Sequence, residues 1–90
     1  IKGSETMAWY VYMLRCGDGS LYTGSTTDVE RRLREHQGGT GARYTRSRPP
    51  VTLAYAEEAP DRSAAQRREA AIKKLPRAQK LKLIGKGERT

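Results

Sequence analysis

The sequence predicts an α/β fold of the α+β type, in which a small, mainly antiparallel three-stranded sheet is flanked by three helices. Three observations predict it. Residues 8–16 are aromatic and β-branched, and residues 51–56 alternate apolar with polar side chains, as strands do. Two later segments, at about 28–37 and 64–74, carry helix-capping signals. The resulting element order, ββαβαα, contains no internal repeat or interdomain linker, and 90 residues allow one domain.

The first two strands are predicted to form a hairpin. Residues 8–16 form the first strand, residues 17–20 (Gly-Asp-Gly-Ser) have turn chemistry, and residues 21–24 form a short second strand. Side chains alternate between the two faces of a strand. This alternation places Tyr10, Tyr12 and Leu14 on one face of the first strand, and Val11 and Met13 on the other.

The first helix is expected at about residues 28–37. Thr27 with Glu30 fits a capping box, and Asp28 adds a negative charge where the helix begins. The pair Gly38-Gly39 is predicted to end the helix.

The second half of the chain is predicted to contain a loop, a strand and two helices. Residues 38–50 are rich in Gly and Arg and form the loop, which precedes the third strand. Ser63 with Gln66 forms a second capping box that opens the helix of about 64–74. Pro76 interrupts that helix, and a last helix of about 77–84 ends at Gly85.

The composition favours a polyanionic partner. Eighteen Lys and Arg residues against ten Asp and Glu residues give a formal net charge of +8, although a basic surface that serves only solubility would show the same excess. No apolar run approaches the roughly 20 residues that span a bilayer. Cys16 is the single cysteine, which excludes an intrachain disulfide and a zinc knuckle. We therefore expect a cytoplasmic monomer that does not insert into a membrane. From the charge alone, its partner can be nucleic acid, an anionic membrane surface or an acidic protein.

The domain limits follow from the composition of the two ends. Residues 1–6 are polar and lack periodicity, so we expect a disordered leader or a remnant of protein expression. The domain itself is expected at residues 7–85, with a flexible tail at 86–90.

Glu69 is the first candidate functional residue. In the helix of about 64–74 it shares a face with the apolar Ala65 and Ile72. A carboxylate on a packing face costs free energy unless it is paired or binds a cation. An i,i+4 pair with Lys73 and a metal or catalytic carboxylate are both compatible with this position.

The predicted topology brings four further candidate functional residues close together. A hairpin brings Tyr12 and Tyr22 close together, and the helix that follows presents Arg32 and His36 one turn apart near the same edge. Phenol, guanidinium and imidazole groups suit phosphate binding and proton transfer. Each residue alone also has an ordinary structural interpretation.

The spacing of these residues resembles that of the GIY-YIG nuclease superfamily. Residues 10–12 (YVY) and 22–24 (YTG) are similar to its paired GIY and YIG motifs. Arg32, ten positions after Tyr22, matches the family arginine; His36 and Glu69 match its later His and Glu. The resemblance covers roughly residues 8–84 and is nearest to short bacterial single-domain proteins of the YhbQ-like, UPF0213-type group.

The resemblance implies a metal-dependent endonuclease that cleaves DNA, including branched or single-stranded DNA, in repair or recombination. It implies one Mg²⁺ or Mn²⁺ held by Glu69, charge stabilisation by Arg32, and activation of water by Tyr12 or Tyr22 with His36 as a proton carrier. A set of residues around this core is expected to contact the nucleic acid: Gly24, Ser25, Arg31, Arg34, Arg43, Tyr44, Arg46 and Arg48.

The alternative is a non-catalytic or partner-dependent nucleic-acid-binding module of the same fold. A similar eukaryotic endonuclease subunit works with a protein partner that directs it to branched DNA. Three positions depart from the family pattern. Tyr10 replaces the first glycine of GIY, Ser25 stands where some relatives carry lysine, and Asp28 stands where an asparagine is common. We interpret Asp28 as a helix cap and not as a ligand.

Overall fold

The structure is a computed structural model that describes residues 8–88. The predicted leader at 1–6 and the end of the predicted tail, 89–90, lie outside the described residues. The described part contains three strands and four helices with these bounds: β1 Trp9–Arg15, β2 Leu21–Thr26, α1 Val29–Gln37, α2 Arg43–Arg46, β3 Thr52–Ala59, α3 Arg62–Lys73 and α4 Arg77–Glu88.

The three strands form one antiparallel sheet in the order β2-β1-β3. The central strand β1 is buried on both faces, because alternate side chains enter two separate apolar clusters. Val11 and Met13 pack with residues of α3 and α4 on one face. Tyr12 and Leu14 pack on the other face, with Leu33 of α1 against them. The predicted α+β fold and the alternation along the first strand are confirmed.

Both predicted capping boxes are wrong in detail. Asp28, and not Thr27, is the N-cap of α1, which confirms the interpretation of Asp28 as a helix cap; its carboxylate accepts a hydrogen bond from the Arg31 amide at 3.0 Å. β2 continues two residues beyond its predicted end, so Asp28 is the residue with extended backbone directly before the helix. Asp61 caps α3 in the same way, and Ser63 lies inside the first turn of that helix.

Three other elements differ from the prediction: one helix was not predicted, and one strand and one helix are longer than predicted. The one-turn helix α2 lies within the predicted loop of 38–50, where no apolar periodicity indicated it. β3 extends to Ala59, three residues beyond its predicted end. α4 continues through Gly85 and Gly87 to Glu88, so residues 86–88 of the predicted flexible tail are helical; each glycine inside a helix costs only about 1 kcal/mol. Among residues 8–88, no helix has both the length and the apolar character to cross a membrane.

Candidate active site

The site lies where the edge strand β2 meets α1. In the pairing of β1 with β2, Tyr12 stands opposite Gly24. A Cβ at Gly24 would lie 2.5 Å from the Tyr12 hydroxyl oxygen, so the absent side chain leaves the space that the phenol occupies. Gly24 therefore allows Tyr12 to lie across β2, while only 2% of the Tyr12 surface stays exposed.

His36 is the partner of the Tyr12 phenol. Its Nε2 lies 3.1 Å from the Tyr12 hydroxyl oxygen, and the residue is 2% exposed. Leu33, one turn earlier on α1, packs against the apolar cluster that contains Tyr12 and thereby holds the helix in this rotation. A buried imidazole needs hydrogen-bond partners on both nitrogens.

Thr45 supplies the partner on the other nitrogen of His36. Its hydroxyl oxygen lies 2.7 Å from Nδ1, and Thr45 is 1% exposed. A Cβ at Gly41 would collide with the same imidazole nitrogen, so Gly41 lets the loop pass close to the ring. Sequence reasoning missed both residues, and no periodicity in residues 38–50 indicates them.

Tyr22 begins a row of aromatic side chains at the mouth of the site. Its ring centroid lies 5.1 Å from that of His36 and 5.9 Å from that of Tyr44. The Arg48 guanidinium lies 4.0 Å over the Tyr44 ring and also pairs with Asp18 at 3.0 Å. Base-sized planar groups stack on such side chains.

Arg32 is the positive group nearest the Tyr12–His36 pair. Its Nη1 donates to Glu35 at 2.7 Å, and this hydrogen bond is the main cause of the raised pKa of Arg32. The guanidinium therefore stays charged, but part of its charge is balanced by a carboxylate three residues along the helix. Sequence reasoning did not single out Glu35.

The pKa values of Tyr12 and His36 shift in opposite directions. Burial raises the pKa of Tyr12 to about 12, against a smaller lowering by the neighbouring Arg32; the nearby Tyr22 and Glu69 raise it further. Burial, followed by the positive charge of Arg32, lowers the pKa of His36 below 6.5. At neutral pH the phenol keeps its proton and the imidazole is neutral, so the imidazole is the better proton acceptor of the two.

Glu69 approaches the site from the opposite face of the sheet. It lies on α3 between the fully buried Ala65 and Ile72, and 21% of its side chain is exposed. Its Oε1 accepts a hydrogen bond from Ser25 of β2 at 2.8 Å, and its Oε2 pairs with Lys73 at 2.9 Å. The carboxylate is near enough to Tyr12 to contribute to the raised pKa of that phenol. This geometry is compatible with both interpretations of Glu69, as an i,i+4 partner of Lys73 and as a metal or catalytic carboxylate.

The donor set around Glu69 fits one hard divalent ion held mainly by water and substrate. Within residues 8–88, no three His, Cys, Asp or Glu side chains are grouped so that they could hold a metal. Mg²⁺ keeps several waters and often binds through one or two carboxylates plus substrate phosphate. Glu69 offers one partly exposed carboxylate, and the Lys73 ammonium at 2.9 Å would have to move away for an ion to be held there.

The other residues predicted to contact nucleic acid surround this centre. Ser25 holds Glu69, and Tyr44 and Arg48 extend the aromatic row. The remaining arginines are exposed on α1 and α2 and, among residues 8–88, make no side-chain hydrogen bond or ion pair to another predicted site residue: Arg31, Arg34, Arg43 and Arg46. Their role in binding stays a prediction.

Comparison with known proteins agrees with the motif spacing. The family model described as the GIY-YIG catalytic domain matches residues 8–82. A UPF0213 protein of Streptococcus sanguinis is 60% identical over 75 residues, which is 83% of this chain and 86% of that protein. A UPF0213 protein of the archaeon Halobacterium salinarum is 56% identical over 71 residues, covering 79% of this chain and 92% of that protein.

Solved structures support the same grouping. The NMR structure of a UPF0213 protein of Bacillus halodurans is 46% identical and has a TM-score of 0.59, covering 92% of this chain and 89% of that one. An NMR structure of an E. faecalis protein is 53% identical with a TM-score of 0.56, covering 81% and 78%.

Proposed function

The chain belongs to the GIY-YIG catalytic domain family, and from this premise we propose that it is a divalent-metal-dependent endonuclease that hydrolyses phosphodiester bonds of DNA. The observation that carries the proposal is the buried contact between Tyr12 and His36 at 3.1 Å, with Arg32 and Glu69 near enough to shift the pKa of Tyr12. Phenol, imidazole, guanidinium and carboxylate can supply the proton transfer and the charge stabilisation that phosphodiester hydrolysis needs.

The proton path begins at the attacking water. The water oxygen forms a bond to phosphorus while the bond from phosphorus to the leaving oxygen breaks. The water gives a proton to the Tyr12 oxygen as the phenol's own proton moves to Nε2 of His36. The leaving alkoxide takes a proton from solvent, and His36 returns its proton to solvent afterwards. This path avoids a free tyrosinate, which the raised pKa of Tyr12 disfavours.

In the proposed reaction Arg32 and Glu69 stabilise the negative charge of the phosphate and of the leaving oxygen, Glu69 through the divalent ion. The planar guanidinium of Arg32 stabilises negative charge that develops on the phosphoryl oxygens, a role that suits a group charged at every relevant pH. Glu69 would hold the divalent ion, and Ser25 would orient its carboxylate. When bound, the ion supplies stabilisation of the leaving oxygen and polarisation of the phosphate.

The test is cleavage of branched, single-stranded and duplex DNA in Mg²⁺ or Mn²⁺. Glu69→Ala and Arg32→Ala are expected to abolish cleavage, whereas the exposed matched controls Glu58→Ala and Arg15→Ala keep it. The substrate that is cut fastest assigns the structure preference, which we expect to be a branched or single-stranded form met in repair or recombination. The proposal fails if wild type cuts nothing, or if the site variants cut as well as their controls.

One observation favours a second function, a nucleic-acid-binding module without chemistry. Both oxygens of Glu69 already have protein partners, Ser25 and Lys73. DNA binding that survives EDTA and Glu69→Ala, with no cleavage, supports this alternative. Cleavage that appears only after a protein partner is added would instead support a partner-dependent enzyme. We place either activity in the cytoplasm, in a protein that is a monomer before it meets DNA.

A further inference from the structure

We propose that Thr45 is a positioning residue that fixes the tautomer of His36, so that Nε2 is free to accept the Tyr12 proton. The inference rests on the proposed function for its catalytic meaning, and on hydrogen-bond geometry for its physical content. No role for Thr45 follows from the sequence motifs, because the residue lies in an Arg-rich segment after the first helix.

The argument begins with the single proton of the Thr45 hydroxyl. That hydroxyl donates to the Ala42 carbonyl oxygen at 3.0 Å. A hydroxyl has one proton to donate and two lone pairs with which to accept. A hydroxyl that donates to Ala42 has no second proton for Nδ1 of His36, 2.7 Å away, so in this arrangement the Thr45 oxygen accepts and the proton between them belongs to Nδ1.

A neutral imidazole that carries its proton on Nδ1 has a lone pair on Nε2. The lone pair faces the Tyr12 hydroxyl at 3.1 Å, so the phenol is the donor of that hydrogen bond. Donors and acceptors then run in one direction, from Tyr12 through His36 and Thr45 to the Ala42 carbonyl. The same direction is the one in which the phenol releases its proton during the proposed reaction.

One contact favours the opposite tautomer. The Ala42 amide nitrogen lies 3.4 Å from Nδ1, and an amide can only donate. At that length the contact is much weaker than the one to Thr45. It becomes the only remaining partner of Nδ1 if the Thr45 hydroxyl is removed, and Nδ1 must then present a lone pair. Loss of the hydroxyl is therefore expected to move the imidazole proton to Nε2, where it blocks transfer from Tyr12.

His36 is the only histidine in the chain, so the prediction can be tested without assigning other imidazoles. Protein labelled with ¹⁵N-histidine is examined by long-range ¹H–¹⁵N correlation NMR above the pKa of His36. Wild type and Thr45→Ser, which keeps the hydroxyl, are expected to show the Nδ1–H tautomer. Thr45→Val, which is isosteric, is expected to shift to the Nε2–H tautomer.

The isosteric variant should fold, because the Ala42 carbonyl still accepts a hydrogen bond from the Arg46 amide at 3.1 Å. Thr45→Ala serves as a second variant without the hydroxyl if valine fits poorly. In cleavage assays the kcat of Thr45→Val is expected to fall by at least about tenfold, which is part of the roughly 10²- to 10⁴-fold that acid–base catalysis contributes, while KM for DNA is unchanged. Thr45→Ser should retain most of the wild-type kcat.

The outcomes separate this inference from the proposed function. An Nε2–H tautomer in wild type, or an Nδ1–H tautomer in both Thr45→Val and Thr45→Ala, overturns the role of Thr45 whatever the cleavage assay gives. A lower kcat with an unchanged tautomer does the same. If wild type cuts no DNA, the nuclease proposal fails, while the NMR result still decides whether Thr45 sets the tautomer.

Discussion

Among single residues, the Tyr12–His36 contact decides which group accepts a proton at neutral pH. Burial acts on both side chains but disfavours the charged form of each, so it keeps the phenol protonated and the imidazole neutral. Tyr12 alone is poorly suited as a base, since a phenol with a pKa of about 12 rarely ionises. In the proposed reaction the two groups together pass the proton from water to imidazole without a long-lived charge on Tyr12.

The lowered pKa of His36 predicts the acidic limb of the pH–rate profile. Activity requires neutral imidazole, so kcat/KM is expected to fall as the pH drops through an apparent pKa below 6.5, the ordinary value. His36→Gln should lower kcat and remove that limb. Measurements at saturating metal, with wild type beside His36→Gln, check this. An identical acidic limb in both proteins would assign the titration to another group.

The lowered pKa of His36 also predicts how the free energy of unfolding depends on pH. The unfolded chain protonates His36 near pH 6.5, whereas the folded chain does so only at a lower pH. The stabilising contribution of neutral His36 is therefore complete above pH 6.5 and is lost as the pH falls through the folded-state pKa. Urea unfolding of wild type and His36→Gln at several pH values measures this contribution to the free energy of unfolding. Equal pH dependence in the two proteins would contradict the prediction.

The residues that sequence alone placed together are those with a periodic or motif signal. The two-residue alternation of β1 and the helical spacing of Arg32 and His36 set the directions of these side chains, and the structure brings them to one edge of the sheet. Thr45 had no such signal, because its contact with His36 depends on how a glycine-rich loop folds back. No sequence signal indicated the role of Glu35 either, since a carboxylate among arginines is ordinary on a helix surface.

Among secondary-structure elements, the starts of α1 and α3 show where local patterns are insufficient. Each start offers a hydroxyl and an aspartate within two residues, and either can cap a helix. The choice depends on where the preceding segment leaves its extended conformation, which the tertiary structure determines. For α1 that point is fixed by the pairing of Thr26 with Tyr10 at the end of β2. Asp28, which is extended and directly precedes Val29, becomes the cap.

The cap assignment predicts a difference between two neighbouring alanine variants. Asp28→Ala removes the acceptor of the Arg31 amide and is expected to lower the free energy of unfolding by about 1 kcal/mol. Thr27→Ala is the matched control and should change it much less, because its side chain makes no cap hydrogen bond. Urea unfolding measures both. The larger loss at Thr27 would restore the capping box that the sequence indicated.

Helix α3 holds Glu69 and Lys73 one turn apart, and this spacing sets up a competition between ammonium and metal ion. Lys73 pairs with Oε2 at 2.9 Å, and that hydrogen bond raises the pKa of the lysine. Removing the ammonium should tighten metal binding at Glu69. A partly exposed ion pair is worth about 0.2–1 kcal/mol, so Lys73→Gln is expected to lower the Mn²⁺ dissociation constant by about 1.5- to fivefold.

Mn²⁺ titration followed by water-proton relaxation measures this affinity without DNA or catalysis. Lys74→Gln is the matched control, since it removes the same charge from the adjacent exposed position. Equal changes in the two variants would mean that net charge alone sets the affinity. No change in either would argue against Glu69 as the metal ligand.

For the whole molecule, the short helix α2 links the buried centre to the charged surface. Thr45 on this helix contacts His36, while Arg43 and Arg46 on the same turn are exposed. Tyr44 stands next to Tyr22, so the same turn also carries an aromatic side chain to the mouth of the site. Any substrate contact at α2 therefore lies within one helical turn of the residue that contacts the His36 imidazole.

The position of α2 predicts how DNA affinity responds to salt. Each lysine or arginine contact to a phosphate contributes about −0.7 for single strands, or −0.9 for duplex, to the slope of log K against log salt concentration. If Arg43 and Arg46 both contact phosphates, Arg43→Ala/Arg46→Ala should reduce the magnitude of the slope by about 1.4–1.8. The matched control, Arg62→Ala/Arg67→Ala, removes the same charge from exposed positions on α3 and should change the slope little.

Fluorescence anisotropy over a salt series, in EDTA to prevent cleavage, measures the slopes of wild type and of both double variants. Equal reductions in both double variants would show that the net charge of +8 acts as a diffuse field and that α2 is no docking element.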